Sequence, residues 1–166
     1  MRTLYIVRHA KSSWGDPSLS DHDRPLNQRG RRDAPEMASR LKARGVKLDR
    51  LVVSSAQRAQ ETAAFFAEGL DVIAGQRETV SELYEASPEV WVRVIQGLDE
   101  RWETVMMIGH NPTITVLANA LGRVDIANVP TCGILECRYR GEYWGNFGDQ
   151  PSEMTVEFDY PKNISG

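Results

Sequence analysis

Two histidines and two arginines, remote from one another in the chain, stand where apolar runs give out. Leu4-Tyr5-Ile6-Val7 leads into Arg8-His9, Val105-Met106-Met107-Ile108 into Gly109-His110, and the run at residues 51–54 leads to Arg58. A neutral imidazole offers a nucleophilic ring nitrogen, and a guanidinium offers a planar fork of donors that matches phosphate oxygens. Together these groups suit chemistry at phosphorus. A buried strand that finishes in Arg-His is hard to explain as packing, because neither side chain belongs in an apolar core unless paired.

Each of these residues has a plainer reading. An Arg-His pair at a strand end is commonly a surface feature, Arg58 could be a solvated helix residue paired with Glu61 or Glu68, and His110 could cap the helix that follows. His22 reads as a loop residue flanking the pocket mouth, and Arg24 could position the first loop without touching substrate. Arg29, Arg31, Arg32 and Asp33 read as a solvated helix face.

The elements that must position the cluster alternate between strand and helix. Residues 3–7 form a short apolar run of the kind buried on both faces of a sheet. A polar loop follows to Pro25. Asn27 can cap a helix running towards Arg44, with Gly45 as its stop. Pro35 falls inside that span, so the helix either kinks there or begins near Ala34. A strand at 51–54 precedes a helix at 56–68, and residues 71–74 read as a short third strand. Ser87-Pro88 opens a helix with Val90, Trp91, Val94, Ile95 and Leu98 on its apolar stripe. Residues 104–108 are the fourth run, and Asn111-Pro112 opens a helix ended by Gly122. Residues 133–139 and 154–158 read as late strands, and 160–166 as a frayed tail. The alternation predicts an α/β sandwich, three-layered with a mostly parallel central sheet. Strand ends in such a sheet share one edge, where open α/β folds bind ligands.

The chain of 166 residues suits one domain spanning 1–166, with 41% apolar and 26% charged residues. A net charge of −3 gives no general attraction for nucleic acid or an anionic membrane, so a positive site must be local. Cys132 and Cys137 read as reduced structural thiols pointing to opposite faces of a strand. The apolar run before Arg8 is too short for a signal peptide or a membrane span, which predicts a cytoplasmic protein.

Arg8-His9-Ala10-Lys11-Ser12-Ser13-Trp14 resembles the Arg-His-Gly signature of the histidine phosphatase superfamily, which includes phosphoglycerate mutases. Asp23-Arg24-Pro25-Leu26 with Gly30, then Ser54-Ser55-Ala56-Gln57-Arg58-Ala59-Gln60-Glu61-Thr62-Ala63, and Gly109-His110-Asn111-Pro112 are similar to its later blocks, in order. The compact length and the first block look most like the SixA-like phosphohistidine phosphatases. The resemblance implies a phosphoglycerate mutase-like fold and no cofactor or metal. It implies His9 as a nucleophile that becomes transiently phosphorylated, with Arg8 and Arg58 on the phosphoryl oxygens and His110 beside them, cationic once phosphate is bound. Ser12 and Asn111 would add hydrogen bonds to the substrate.

Superfamily members acting on phosphomonoesters usually carry an acidic proton donor after the third strand. Glu82 is the best match here, with Glu85 as its competitor. Ala10 stands where the signature has glycine, and Gly15 departs from the asparagine that mutases often have nearby, which weakens a sugar-phosphate mutase reading. An imidazole leaving group is easily protonated, so a phosphoramidate needs no strong protein acid. The expected substrate is therefore a protein carrying phosphohistidine, with a small phosphomonoester as the alternative. Two readings lie outside this class. A metal-dependent hydrolase would use His9, His22 and His110, which lack ligand-like spacing. A phosphate-binding module without turnover would keep Arg8 and Arg58 and make no use of His9 as a nucleophile.

Overall fold

A computed structural model describes residues 1–163. Its six-stranded sheet comprises Arg2–Arg8 (β1), Arg50–Val53 (β2), Arg77–Thr79 (β3), Thr104–Gly109 (β4), Ile134–Tyr139 (β5) and Met154–Asp159 (β6), in the spatial order β3-β2-β4-β1-β5-β6. The first four strands pair in parallel, and β5 and β6 close one side antiparallel. The helices are Gln28–Ala43 (α1), Gln57–Gly69 (α2), Pro88–Gln96 (α3) and Thr113–Gly122 (α4).

Both sheet faces are covered, which is why the central strands read as unbroken apolar runs. Tyr5, Val7, Leu51, Val53, Met106 and Ile108 pack against α1 and α2, with Met37, Leu41 and Phe66 among their partners. Leu4, Ile6, Val52, Val105 and Met107 point the other way, onto Trp91, Ile95, Ile114 and Leu117 of α3 and α4. The result is the expected three-layer α/β/α sandwich. Register brings Arg8 opposite Gly109 and Val53 opposite Ile108, so the three chain segments that follow β1, β2 and β4 leave the sheet side by side.

Local chemistry sets the helix starts. Asn27 accepts a hydrogen bond from the Gly30 amide at 2.9 Å, and Ser87 accepts one from Val90 with Pro88 in the first turn. Of the two options for Pro35, the later start is wrong: α1 begins at Gln28 and runs on through Pro35. Proline removes one backbone donor there. Burial of Ala34, Met37, Ala38 and Leu41 on the same helix holds the segment despite that loss. Gly30 is required by close approach, since a Cβ at that position would lie 2.2 Å from the Lys11 carbonyl oxygen.

Two expectations need correction. The third strand is not at 71–74. Asp71 takes a left-handed conformation at φ 58°, residues 74–76 form a 3₁₀ turn, and β3 starts at Arg77. As an edge strand of Arg, Glu and Thr it carries no apolar signal. The tail is anchored as far as it is described: Arg40 donates to the Tyr160 carbonyl at 3.0 Å and the Pro161 carbonyl at 2.8 Å. The rest of that predicted frayed end, residues 164–166, lies outside the described residues. Cys132 and Cys137 are free and buried in the two opposite cores, as expected, although Cys132 precedes β5.

Candidate active site

Beyond the C-terminal edge of the parallel strands, His9, Arg58 and His110 converge. His9 follows β1, Arg58 lies in the first turn of α2, and His110 follows β4. Arg58 Nε donates to His9 Nε2 at 3.3 Å, and the His9 and His110 ring centroids are 5.1 Å apart. His9 and Arg58 are each only 7% exposed. The plainer reading of Arg58, paired with Glu61 or Glu68, does not hold: Arg58 pairs with Asp21, and Glu61 accepts the Leu26 amide at 3.3 Å.

The tautomer of His9 follows from its partners. Nδ1 lies 2.7 Å from the Ala10 carbonyl oxygen, which can only accept, so Nδ1 carries the proton. Nε2 keeps its lone pair, directed at the Arg58 Nε–H. This is the orientation a nucleophilic imidazole needs. Thr62 fixes the turn around it, accepting from the Ala10 amide at 3.0 Å and donating to the Arg58 carbonyl at 2.7 Å. Ser54 Oγ lies 2.7 Å from His110 Nε2 and also accepts the Ala56 amide, so Nε2 is engaged and Nδ1 is the ring nitrogen left over. That Nδ1 is buried without a protein partner, and so is Arg8 Nε. Buried polar groups are normally paired. Two buried nitrogens without a protein partner, one on the ring 5.1 Å from His9 and one on a guanidinium whose charge acts on both histidines, fit a bound oxyanion.

Burial lowers the His9 pKa to about 3, and the positive charges of His110, Arg58 and Arg8 oppose its protonation. Burial also lowers His110, to about 4, with Arg58 as the next cause. Both rings are neutral at neutral pH in the free protein. The consequence for stability has a definite sign. Between about pH 6.5 and 4 the unfolded chain binds protons that the folded chain refuses, so stability falls as pH falls through this window. Each histidine contributes a slope of up to about 1.4 kcal/mol per pH unit. Thermal unfolding across pH 7 to 4 should therefore show a shallower acid-side decline in His110→Asn than in the wild type. A parallel decline would contradict the neutral state.

The polar loop before α1 supplies a residue that sequence reasoning missed. Asp21, in a 3₁₀ turn spanning Asp21–Asp23, accepts Arg58 Nη2 at 3.0 Å and the Tyr84 hydroxyl at 2.6 Å on Oδ2, and Arg24 Nη1 at 2.8 Å on Oδ1. Its backbone carbonyl accepts Arg58 Nη1 at 2.6 Å. The Tyr84 hydrogen bond, then Arg58 and Arg24, hold the Asp21 carboxyl at about 2, and the same bond pushes the Tyr84 phenol up to about 12. Tyr84 packs edge-on to both His110, at 5.6 Å between centroids, and His22, at 4.8 Å. His22 also meets Ser55 Oγ through Nε2 at 2.9 Å, placing it at the rim as expected.

Other predicted positions have different partners. Ser12 Oγ accepts from Arg24 Nη2, while Arg24 Nε donates to the Ser13 carbonyl and its guanidinium stacks 3.4 Å from the Trp14 ring centroid. Arg24 thus holds the first loop, and Ser12 serves that hold. Asn111 spends its amide on Asn128, the Val129 carbonyl and Thr115, tying the loop before β5 to α4. Arg8 Nη1 is also bound to the Val129 carbonyl, at 2.8 Å. Glu82 is exposed and pairs with Arg93 at 3.4 Å, and neither it nor Glu85 makes a hydrogen bond or ion pair with His9, Arg58 or His110. Among the described residues no group of three or more His, Cys, Asp or Glu side chains is arranged to hold a metal ion, and no helix is long and apolar enough to cross a membrane.

Fold and site together define an α/β protein with a cluster of two histidines and an arginine beyond the end of a parallel sheet. The chain belongs to the histidine phosphatase superfamily, branch 1, whose family model matches residues 4–96. An uncharacterized protein of Mycobacterium tuberculosis is 33% identical over 147 residues, covering 82% of this chain and 89% of that one. The SixA structure from Agrobacterium tumefaciens superimposes with a TM-score of 0.81 at 26% identity, covering 96% of this chain and 98% of that one. The protein histidine phosphatase SixA complexed with tungstate superimposes with a TM-score of 0.75 at 23% identity, over 95% and 94% of the two chains, which speaks for the fold. Membership and neighbours support a phosphatase.

Proposed function

We propose that this protein is a phosphatase that takes a phosphoryl group onto His9 Nε2, passes it to water without a metal ion, and acts on protein phosphohistidine. The observation that carries the first part is the His9 pairing: Nδ1–H is held by the Ala10 carbonyl and the Nε2 lone pair faces Arg58. In this reading the lone pair of Nε2 forms the new P–N bond as the substrate's leaving group departs with its electron pair. Water then attacks phospho-His9, the ring leaves neutral, and the water's proton ends on phosphate. Arg8 and Arg58 carry the non-bridging oxygens. His110 would donate from Nδ1, and a bound phosphate dianion would favour a second proton on Nε2, facing Ser54 Oγ, making the ring cationic during transfer.

Substrate preference rests on the absence of a well-placed neutral acid. Asp21 is the carboxyl group bonded to Arg58, and at about 2 it is ionised at neutral pH. Glu82 is engaged with Arg93 at the surface. An alkoxide leaving group needs a proton that neither supplies, whereas an imidazole leaves without one from the protein. The SixA neighbours point the same way.

The test is a rate comparison, in EDTA, between a phosphohistidine-bearing protein and a panel of alkyl phosphomonoesters, with Glu82→Gln alongside. The expected result is a kcat/KM at least about 10²-fold higher on phosphohistidine, the worth of a missing general acid on the esters, with Glu82→Gln indistinguishable from wild type on both. Ester turnover that equals phosphohistidine turnover and collapses in Glu82→Gln would overturn this reading.

A further inference from the structure

We infer that Asp21 is a leaving-group residue: its carboxylate accepts the N–H of the substrate imidazole's far ring nitrogen, the one not bonded to phosphorus. The inference rests on the phosphohistidine reading and specifies how that substrate is recognised.

Transfer from a phosphohistidine to His9 exchanges one imidazole for another. What activates the attacking ring must therefore be matched on the departing ring. On the attacking side the device is visible: the far nitrogen of His9, Nδ1, donates its proton to the Ala10 carbonyl at 2.7 Å, so the ring enters and leaves bonding at Nε2 as a neutral group. On the departing side the substrate ring needs a proton on its own far nitrogen. Then the P–N bond breaks, its electron pair returns to the ring nitrogen, and neutral imidazole is released without any proton transfer from the protein. A carboxylate is the acceptor that best stabilises the protonated ring before cleavage.

Asp21 has the position and the capacity for this. Arg58 spans the site, with Nε on His9 and Nη2 on Asp21, so Asp21 sits beyond the phosphate-binding guanidinium as seen from the nucleophile. Its side chain is 48% exposed, whereas His9 is buried, so it faces the side from which substrate enters. Oδ2 is filled by Tyr84 and Arg58, but Oδ1 receives only Arg24 and retains an acceptor site. The rings of Tyr84 and His22 lie beside it, packed edge-on to each other with centroids 4.8 Å apart. Three donors keep the carboxylate ionised and fixed without neutralising its remaining lone pair.

The experiment measures kcat/KM of wild type and Asp21→Asn on phosphoimidazole and on p-nitrophenyl phosphate, whose leaving group needs no proton. Asp21→Asn should lose about 10²-fold or more on phosphoimidazole, the scale of a preorganised charged hydrogen bond. It should lose less than about tenfold on p-nitrophenyl phosphate, where the residual effect is looser positioning of Arg58. Equal losses on the two substrates would overturn the inference and leave Asp21 as a support for Arg58. A wild type that turns over p-nitrophenyl phosphate but not phosphoimidazole would instead overturn the phosphohistidine reading on which it rests.

Discussion

Replacing His9 with alanine lowers kcat by about 10⁴–10⁶-fold on every substrate, the loss seen when a covalent nucleophile is removed from a preorganised site. The uniformity matters as much as the size, because in the proposed mechanism the same ring nitrogen accepts the phosphoryl group whatever leaves. Binding of an inert oxyanion such as tungstate should survive within about tenfold, since in the proposed mechanism Arg8, Arg58 and His110 would carry the anion. The side chain's hydrogen bonds run to the Ala10 carbonyl and to Arg58, and its ring meets that of His110 at 5.1 Å between centroids, so the interactions lost are those within the site. Retained turnover in His9→Ala would remove the nucleophile assignment. Retained binding with no turnover separates the nucleophile from the anion site.

Arg58→Ala should cost about 10³-fold in kcat/KM, at the upper end for loss of one preorganised donor to a transition-state oxyanion. Arg58→Lys should recover only part of it, because an ammonium cannot reach His9 Nε2, the Asp21 carbonyl and the Asp21 carboxylate with one planar fork. The pH profile gives a second, independent reading. Arg58 contributes to the lowered pKa of both His9 and His110. Removing its charge raises both, so the acid limb of the kcat/KM profile should move to higher pH in Arg58→Ala. The Asp21 carboxyl and the Tyr84 phenol, which also face this cluster and which the Arg58 charge lowers, should rise in the same sense when Arg58 is lost. An acid limb that stays in place, or moves to lower pH, would mean that the guanidinium does not act on the nucleophile's electrostatics.

His9, Arg58 and His110 were legible because each follows a strong apolar run, and a parallel sheet delivers such run-ends to one edge. Asp21 was not legible for the opposite reason. It lies in a polar loop without periodicity, and its partners Arg58 and Tyr84 are 37 and 63 residues away, so nothing local marks it. In residues 80–85 the sequence offers the carboxylate Glu82 as an acid, whereas the residue of that segment bonded to the site network is the phenol Tyr84. Ser12 and Asn111 show the limit of motif position. Spacing placed them beside the site, but Arg24 and the 128–129 loop take their hydrogen bonds. The sequence places the third strand too early, at 71–74, because an edge strand of Arg77, Glu78 and Thr79 buries little and carries no hydropathy signal.

The central claim concerns one bond, between phosphorus and Nε2 of the first histidine. Wild-type enzyme mixed with substrate and quenched in alkaline denaturant within the first turnover, then digested and mapped by mass spectrometry, tests it most directly. The account predicts one phosphoryl group on the peptide carrying His9, stable in alkali and lost in acid. A phosphoryl group on His22 or His110, or rapid turnover with no labelled peptide, would contradict it.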